Sequence, residues 1–199
     1  MIVGSAGAVV FLTMIGEAVL SARHDRALRR LGAVEPPGDV YRVMQWAYPA
    51  CFLLMLGEGA LRSVEADALF RAGAGMFAAG KALKYWAIAT LGPRWTFRVV
   101  VVPGEPLTRS GPYRFVRHPN YAGVFLELAG VAVMTRAYVS GPLGVVLFGT
   151  LVLMRISVEN RALHDSAPQH QIPIPRTTQN SLRLSCIFHH PSADRTASR

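Results

Sequence analysis

The feature that most constrains this chain is a series of long apolar stretches separated by basic connectors. The first stretch, residues 2–22, is almost wholly apolar and carries one acid, Glu17. About twenty such residues are enough for a helix to cross the hydrocarbon core of a bilayer. No basic region precedes the stretch, and no convincing small-residue cleavage site follows it. We therefore interpret it as a retained helix and not as a signal peptide.

Four further apolar stretches follow, over residues 41–61, 72–91, 121–135 and 141–154. The stretch over residues 72–91 carries Lys81 and Lys84 in its second half. The last two stretches are short for independent spans, and the brief connector RAYVSGP between them favours a tight helical hairpin. The pattern predicts an all-α integral membrane protein with about five transmembrane helices. We expect these helices to form one domain over residues 1–163.

Composition decides between two kinds of partner for a basic chain. The net charge is +9 and the pI is about 10.4, which would suit either nucleic acid or an anionic membrane surface. Hydrophobic residues make up 51% of the chain and charged residues only 17%. Because the apolar residues are clustered, we expect membrane lipids as partners and no nucleic acid.

The distribution of arginine predicts the orientation in the membrane. The connector after the first apolar stretch and the long connector after the third hold most of the arginines: Arg23, Arg26, Arg29, Arg30, Arg94, Arg98, Arg109, Arg114 and Arg117. Lysine and arginine favour the cytoplasmic side of a membrane. Five crossings then place the amino terminus outside and the carboxyl terminus in the cytoplasm. We expect an integral protein of the plasma (inner) membrane.

Two segments outside the apolar stretches have distinct compositions. The run VVVVPGEPL, at residues 99–107, is typical of a short strand and turn. Residues 164–199 contain scattered prolines, serines and histidines without a sustained apolar period, which predicts an irregular, disordered or diverged tail. Neither the two cysteines nor the His189–His190 pair has the spacing of a metal site, and we expect no metal.

The connector GPYRFVRHPNYAG, residues 111–123, is more specific than a link between two helices requires. Its prolines restrict the backbone and disfavour helix at the residues before them. His118 should therefore be presented from an extended turn, and Tyr121 should begin the next helix. Gly111 and Gly123 permit sharp turning or the close approach of a ligand.

A second polar motif, RISVEN at residues 155–160, continues the fifth apolar stretch. Arg155 and Glu159 are four residues apart and share one face of a helix, where they could simply form an ion pair. However, the two ends of a helical hairpin lie close together. We therefore expect His118 and Tyr121 to face Arg155 and Glu159 across a small gap. Ionisable groups at membrane depth tend to line functional cavities.

GPYRFVRHPNYAG followed by RISVENRAL resembles the isoprenylcysteine carboxyl methyltransferase family of integral membrane enzymes, and the resemblance covers roughly residues 72–163. It implies S-adenosylmethionine as methyl donor, held in a cytoplasmic pocket formed by the hairpin and its extension. The residues that the resemblance assigns to the cofactor are Tyr113, His118, Pro119, Tyr121, Gly123, Glu159 and Asn160. The residues that we expect to take part in catalysis are Arg117, Arg155 and Glu159.

The chain departs from the family pattern in two places. Asn160 stands where the family has the second acid of a Glu–Glu pair, so an acceptor is kept and a charge is lost. After Leu163 there is no equivalent of the segment that closes the family's pocket. Weak donor binding or inactivity would follow if that segment were essential.

The acceptor expected from the resemblance is a lipid-like small molecule or a prenylated group. A carboxylate acceptor, as in prenylcysteine, would need only a cationic anchor such as Arg117 or Arg155. A hydroxyl acceptor, such as an alkyl-phenol or pyrone, would need a proton acceptor, and His118 and Glu159 are the candidates. A lipid amine is a further possibility, and the oligomeric state is open.

Two other functions remain open at this point. An NADPH-dependent membrane reductase can share the RHPxYxG element, but such proteins carry an acid directly after the motif glycine, where this chain has Val124. A non-catalytic membrane protein derived from the family is the second alternative. It would bind neither cofactor.

Overall fold

The computed structural model describes residues 1–33, 35, 38–98 and 108–165, except the side chains of residues 159, 160 and 162–165. The predicted strand and turn at residues 99–107, and the predicted tail from residue 166 onward, lie outside the described residues.

The described part of the chain is helical. Five α-helices follow one another: α1 (Ile2–Arg30), α2 (Tyr41–Leu61), α3 (Ala68–Leu91), α4 (Pro119–Met134) and α5 (Ser140–Asp165). Two short 3₁₀ helices, Gly92–Arg94 and Gly111–Arg114, lie between α3 and α4. Over these residues the predicted all-α class is confirmed.

Two of the described helices are long and apolar enough to cross a membrane by length and composition, namely α1 and the Ser140–Val158 part of α5. Helix α4 is apolar but shorter. The prediction of about five crossings therefore stays a prediction.

Two helices extend beyond the apolar stretches that predict them. Arginine and leucine are strong helix formers, so α1 continues through the basic residues after position 22. It ends where Gly32 takes a positive φ of 80°, a conformation that glycine adopts without strain. Helix α5 likewise continues through the RISVEN motif to Asp165.

Neighbouring helices run antiparallel, so all connectors rich in arginine lie at the same end of the bundle. At that end Glu35, from the α1–α2 connector, accepts hydrogen bonds from Arg29 (2.6 Å) and from Arg98 (2.8 Å). His24 Nδ1 lies 2.8 Å from the carbonyl oxygen of Trp95. We call this the arginine-rich end.

Helices α3 and α4 pack most closely, through glycines spaced seven residues apart on each helix. A Cβ atom on Gly73 would lie 2.3 Å from the backbone nitrogen of Met134. A Cβ atom on Gly123 would lie 2.9 Å from the carbonyl oxygen of Gly80. Only glycine allows two backbones to approach this closely. The contact fixes α4 against α3 along most of its length.

Asp67 begins α3 and also anchors the turn after α4. Its carboxylate accepts a hydrogen bond of 2.9 Å from the Phe70 N–H and pairs with Arg136. The hydrogen bond from Phe70, with the positive charge of Arg136, holds the pKa of Asp67 below its ordinary value despite some desolvation.

Gly73→Ala should strongly destabilise the protein, because the new methyl group would overlap the α4 backbone. Gly75→Ala is the matched control, since a Cβ atom at Gly75 meets nothing within 4 Å. Gly75→Ala should be neutral or slightly stabilising, because alanine favours helix over glycine. The thermal unfolding midpoint of each variant in detergent checks this. Equal midpoints for the two variants would contradict the packing described.

The stabilisation supplied by Asp67 should depend on pH. Because its pKa is lower in the folded state than the ordinary 3.8, its contribution is complete above that value and is lost as the pH falls through the folded pKa. The difference in thermal midpoint between wild type and Asp67→Ala should therefore be present at about pH 6 and shrink at about pH 3. Asp67→Asn, which keeps a helix cap without the charge, should show a smaller effect with little pH dependence. A wild-type-to-alanine difference that is equal at both pH values would contradict this account.

Candidate functional site

A cavity of about 230 Å³ lies near the arginine-rich end and is lined by residues of all five α-helices. Aromatic side chains from four parts of the chain line it: Tyr41, Tyr48, Phe97, Tyr121 and Phe148. Met14, Met44 and Val124 add apolar surface. The polar groups on its wall include Glu17, Lys84, Asn120 and Arg155. Such a chamber, mainly apolar with a few convergent polar groups, has the character of a small-molecule site.

The segment over residues 95–98 closes one side of the cavity. Trp95 is 2% exposed, and Phe97 donates its backbone N–H to Ser21 Oγ over 2.7 Å. The Arg98 guanidinium lies 4.6 Å above the Tyr41 ring and pairs with Glu35. Burial favours the neutral form of the Glu35 carboxyl, but hydrogen bonds from the two arginines outweigh this and lower its pKa. These contacts join the segment to α1 and to the α1–α2 connector.

Arg155, from α5, is buried and connects three parts of the site. Its Nε donates to the Tyr121 hydroxyl over 2.9 Å, and Nη1 lies 3.3 Å from Asp39 Oδ1. Its Nη2 donates to the Phe97 carbonyl oxygen. All three nitrogens of this guanidinium are therefore engaged by the protein.

The structure brings two residues of the RHPNYAG motif to the wall of this cavity and places two others next to them. His118 is the residue before α4, and its ring stacks on that of Tyr121 with the centroids 5.5 Å apart. Pro119 is buried at the first position of α4, where its fixed φ favours the start of a helix. Asn120 and Tyr121 line the cavity directly.

Three other predicted residues of the connector lie in different surroundings. Tyr113 is half-buried in the second 3₁₀ helix, and Arg117 is exposed. Gly123 faces α3, where its missing side chain serves the contact with Gly80 and Lys84. Neither Arg117 nor Gly123 is among the residues that line the cavity.

Glu159 and Asn160 lie in α5, one helical turn beyond Arg155. Their side chains are outside the described residues, so their predicted roles stay predictions. Among the described residues, no group of three or more histidine, cysteine or acidic side chains could hold a metal ion.

Four charged residues inside the helical bundle form a cluster that sequence reasoning did not assemble: Glu17, Lys81, Lys84 and Glu127. Lys81 Nζ lies 2.6 Å from Glu17 and 3.0 Å from Glu127. Lys84 Nζ lies 3.0 Å from Glu17 and 2.7 Å from Glu127. We call these four residues the ionic cluster. Two positive and two negative charges balance within it.

The ionic cluster forms part of the cavity wall. Glu17 and Lys84 line the cavity, whereas Lys81 and Glu127 do not. Tyr48 also lines it and donates its hydroxyl to Glu127 over 2.7 Å. The sequence does contain a sign of this cluster, since its charged residues lie within apolar stretches. Charges that are buried in such stretches require partners of opposite charge.

Lys84→Met should destabilise the protein by about 3–5 kcal/mol, because it leaves two buried carboxylates with a single ammonium partner. Adding Glu127→Gln to this variant restores the charge balance and should recover part of the loss. Thermal unfolding in detergent, followed by circular dichroism, measures both variants. If the double variant lost as much stability as the sum of the two single variants, the four residues would not act as one charge-balanced unit.

Comparison with known proteins adds an independent finding. The model of the isoprenylcysteine carboxyl methyltransferase (ICMT) family matches residues 73–165, from α3 to the end of α5. The chain is 27% identical over 158 residues to the uncharacterized protein YpbQ of Bacillus subtilis, an alignment covering 79% of this chain and 94% of that protein. It is 23% identical over 151 residues to an uncharacterized protein of Haemophilus influenzae, covering 75% and 88% respectively. No solved structure matches the chain.

The matched residues include both motifs that carry the resemblance, GPYRFVRHPNYAG and RISVENRAL. The family points to a membrane methyltransferase. Residues 73–165 of the chain are therefore similar to the isoprenylcysteine carboxyl methyltransferase family.

Proposed function

We propose that this protein transfers a methyl group from S-adenosylmethionine to a hydrophobic acceptor at the interface between membrane and cytoplasm. The observation that carries the proposal is the cavity, whose wall combines Tyr121 of the family motif with Arg155 of the second motif. The remaining lining is mainly aromatic and aliphatic, which suits an acceptor with an apolar body.

The residues around the cavity fit a donor that carries a sulfonium cation. Five aromatic rings line the cavity, and aromatic faces attract cations. Asn120 offers an amide for hydrogen bonding beside Tyr121. S-adenosylmethionine, when bound, would supply the activated methyl group.

The side chains of the chain itself would position the reactants and exclude water. Arg155 holds the Tyr121 hydroxyl, and the His118 ring stacks on the Tyr121 ring, which lines the cavity. The apolar lining keeps bulk water from the reacting atoms, and fixed geometry supplies much of the rate in a displacement of this kind. We assign donor contacts to Tyr113, His118, Pro119, Tyr121, Gly123, Glu159 and Asn160, as the family motifs suggest.

The catalytic assignments within this proposal differ in their structural support. Arg155 lines the cavity, so it is suited to orienting the reactants through Tyr121. Glu159, one turn further along α5, would contact the donor's polar groups. Arg117 is exposed beside the motif and would act at the entrance for the polar donor.

The position of the arginine-rich end supports a proposal for the orientation of the protein in the membrane. We propose that this end faces the cytoplasm, with five crossings and the amino terminus outside, in the plasma membrane. The polar donor would then enter from the cytoplasm and the apolar acceptor from the bilayer. The acceptor class is a prenylcysteine-like carboxylate or the hydroxyl of an alkyl-phenol or pyrone.

His118→Ala and Tyr121→Phe should each weaken binding of S-adenosylmethionine by about tenfold or more, since a lost contact of about 1.4 kcal/mol has that effect. Val116→Ala is the matched control, because Val116 is exposed in the same turn. Isothermal titration of the detergent-solubilised protein with S-adenosylmethionine, and separately with NADPH, measures this.

The same titration separates the proposal from its alternatives. Binding of NADPH alone would indicate the reductase, and binding of neither would indicate a non-catalytic protein. Normal donor binding by both motif variants would show that the donor site lies elsewhere.

A further inference from the structure

The titratable groups on the cavity wall restrict what its occupant can be. Among the described lining residues, the carboxylate of Glu17 is the only acidic group, and no histidine lines the cavity. The cations on the wall are Lys84 and Arg155. His118, which the sequence suggests as a proton acceptor, is not among the lining residues, and its ring stacks on that of Tyr121.

Both of these cations are already engaged by protein oxygens. Lys84 Nζ lies 3.0 Å from Glu17 and 2.7 Å from Glu127. Arg155 uses its nitrogens on Tyr121, Asp39 and Phe97. An acceptor carboxylate would therefore lose its hydration without gaining an uncommitted cation among the described wall residues. Burying an anion in this way is costly.

Glu17 differs from Glu127 in access, although both pair with the same two lysines. Glu17 lines the cavity, and its carboxyl is held between Lys81 (2.6 Å) and Lys84 (3.0 Å). Glu127 is 0% exposed and does not line the cavity, and it accepts a hydrogen bond from Tyr48, which does. Only Glu17 is therefore placed to touch a molecule in the cavity.

We propose that Glu17 takes the proton of the methyl acceptor, and that the acceptor enters as a neutral, acidic hydroxyl attached to an apolar chain. This inference rests on the proposed methyltransferase function and deepens it. A phenol or an enol suits a carboxylate base better than an aliphatic alcohol does. Phenols and enols are more acidic than aliphatic alcohols, so their proton passes more easily to a carboxylate.

The reaction balances with these groups. The acceptor oxygen forms a bond to the methyl carbon while the bond from that carbon to sulfur breaks, and the bonding pair stays on sulfur. The acceptor O–H bond breaks, and the proton passes to the Glu17 carboxylate. One negative charge on Glu17 and one positive charge on the sulfonium disappear together, so the net charge around the cavity is unchanged. Glu127 remains as the counterion of Lys81 and Lys84.

Several groups face Glu17 and would shape its pH response. They are Lys81, Lys84 and Tyr85 on α3, Tyr48 on α2 and Glu127 on α4, and Arg155 on α5 lines the same cavity. A pH profile must therefore be compared between variants and not interpreted for wild type alone.

The first experiment measures binding without turnover. Pentadecylphenol, cetyl alcohol and palmitate are titrated into the detergent-solubilised wild-type protein, with and without S-adenosylmethionine, because the donor's charge could itself attract an anion. We expect pentadecylphenol to bind at least about tenfold more tightly than palmitate in both conditions. Equal or tighter binding of palmitate would overturn the assignment of a neutral acceptor.

The second experiment measures methyl transfer from labelled S-adenosylmethionine to the same three probes at several pH values. We expect the phenol to be methylated. Glu17→Gln should lower the rate by about 100-fold or more, with a residual rate that rises with pH as the phenol ionises in solution. Glu58→Gln is the control variant, because Glu58 pairs with Arg62 outside the ionic cluster and does not line the cavity. Its rate should stay within about threefold of wild type at a temperature where both variants are folded.

Each outcome separates the two proposals. Methylation of palmitate alone would support the proposed function and overturn the inference. A Glu17→Gln variant with wild-type rate and pH profile, or equal losses in both variants, would show that Glu17 is structural. If no probe were methylated and the donor did not bind, the proposed function and the role of Glu17 as a base would both fail.

Discussion

The constraint on which the rest of this structure depends is the pairing of charges inside an apolar bundle. Glu17, Lys81, Lys84 and Glu127 come from three helices, and none of these charges could be buried without the others. Tyr48 adds a hydrogen bond from a fourth helix. The four residues therefore fix how α1, α3 and α4 are rotated about their axes. That rotation determines which side chains reach the cavity.

Hydropathy and motif spacing were sufficient to predict the five helices and one contact between side chains. The five apolar stretches predict α1 to α5, and the close ends of a helical hairpin predict that Tyr121 meets Arg155. Both inferences need only local pattern and short connections. The helix ends were less well predicted, because helix-forming arginine and leucine extend α1 beyond its apolar stretch.

The same reasoning could not predict which side chains pair across long distances in the sequence. Glu17 and Lys81 are 64 residues apart, and apolar stretches that are uniformly hydrophobic do not indicate which face meets which neighbour. Two partners of Arg155 could not be predicted either, because Asp39 and the Phe97 carbonyl belong to segments without a recognisable sequence pattern. The ligand contact predicted for Gly123 stays a prediction, and in the structure Gly123 closely approaches the backbone of α3. A motif glycine can thus serve the packing that positions a site.

The packing of α4 on α3 sets the distance between Tyr121 and the ionic cluster. Tyr121 and Glu127 lie on the same helix, and a rise of 1.5 Å per residue separates them by about 9 Å along its axis. Gly123, between them, is held against Gly80, so this part of α4 cannot shift along α3 without overlap of the two backbones. The wall that holds the motif and the wall that holds the ionic cluster are therefore parts of one rigid unit. A molecule in the cavity would therefore meet Tyr121, the ionic cluster residue Glu17 and the methionines and aromatic rings on walls that are fixed by the packing of the helices.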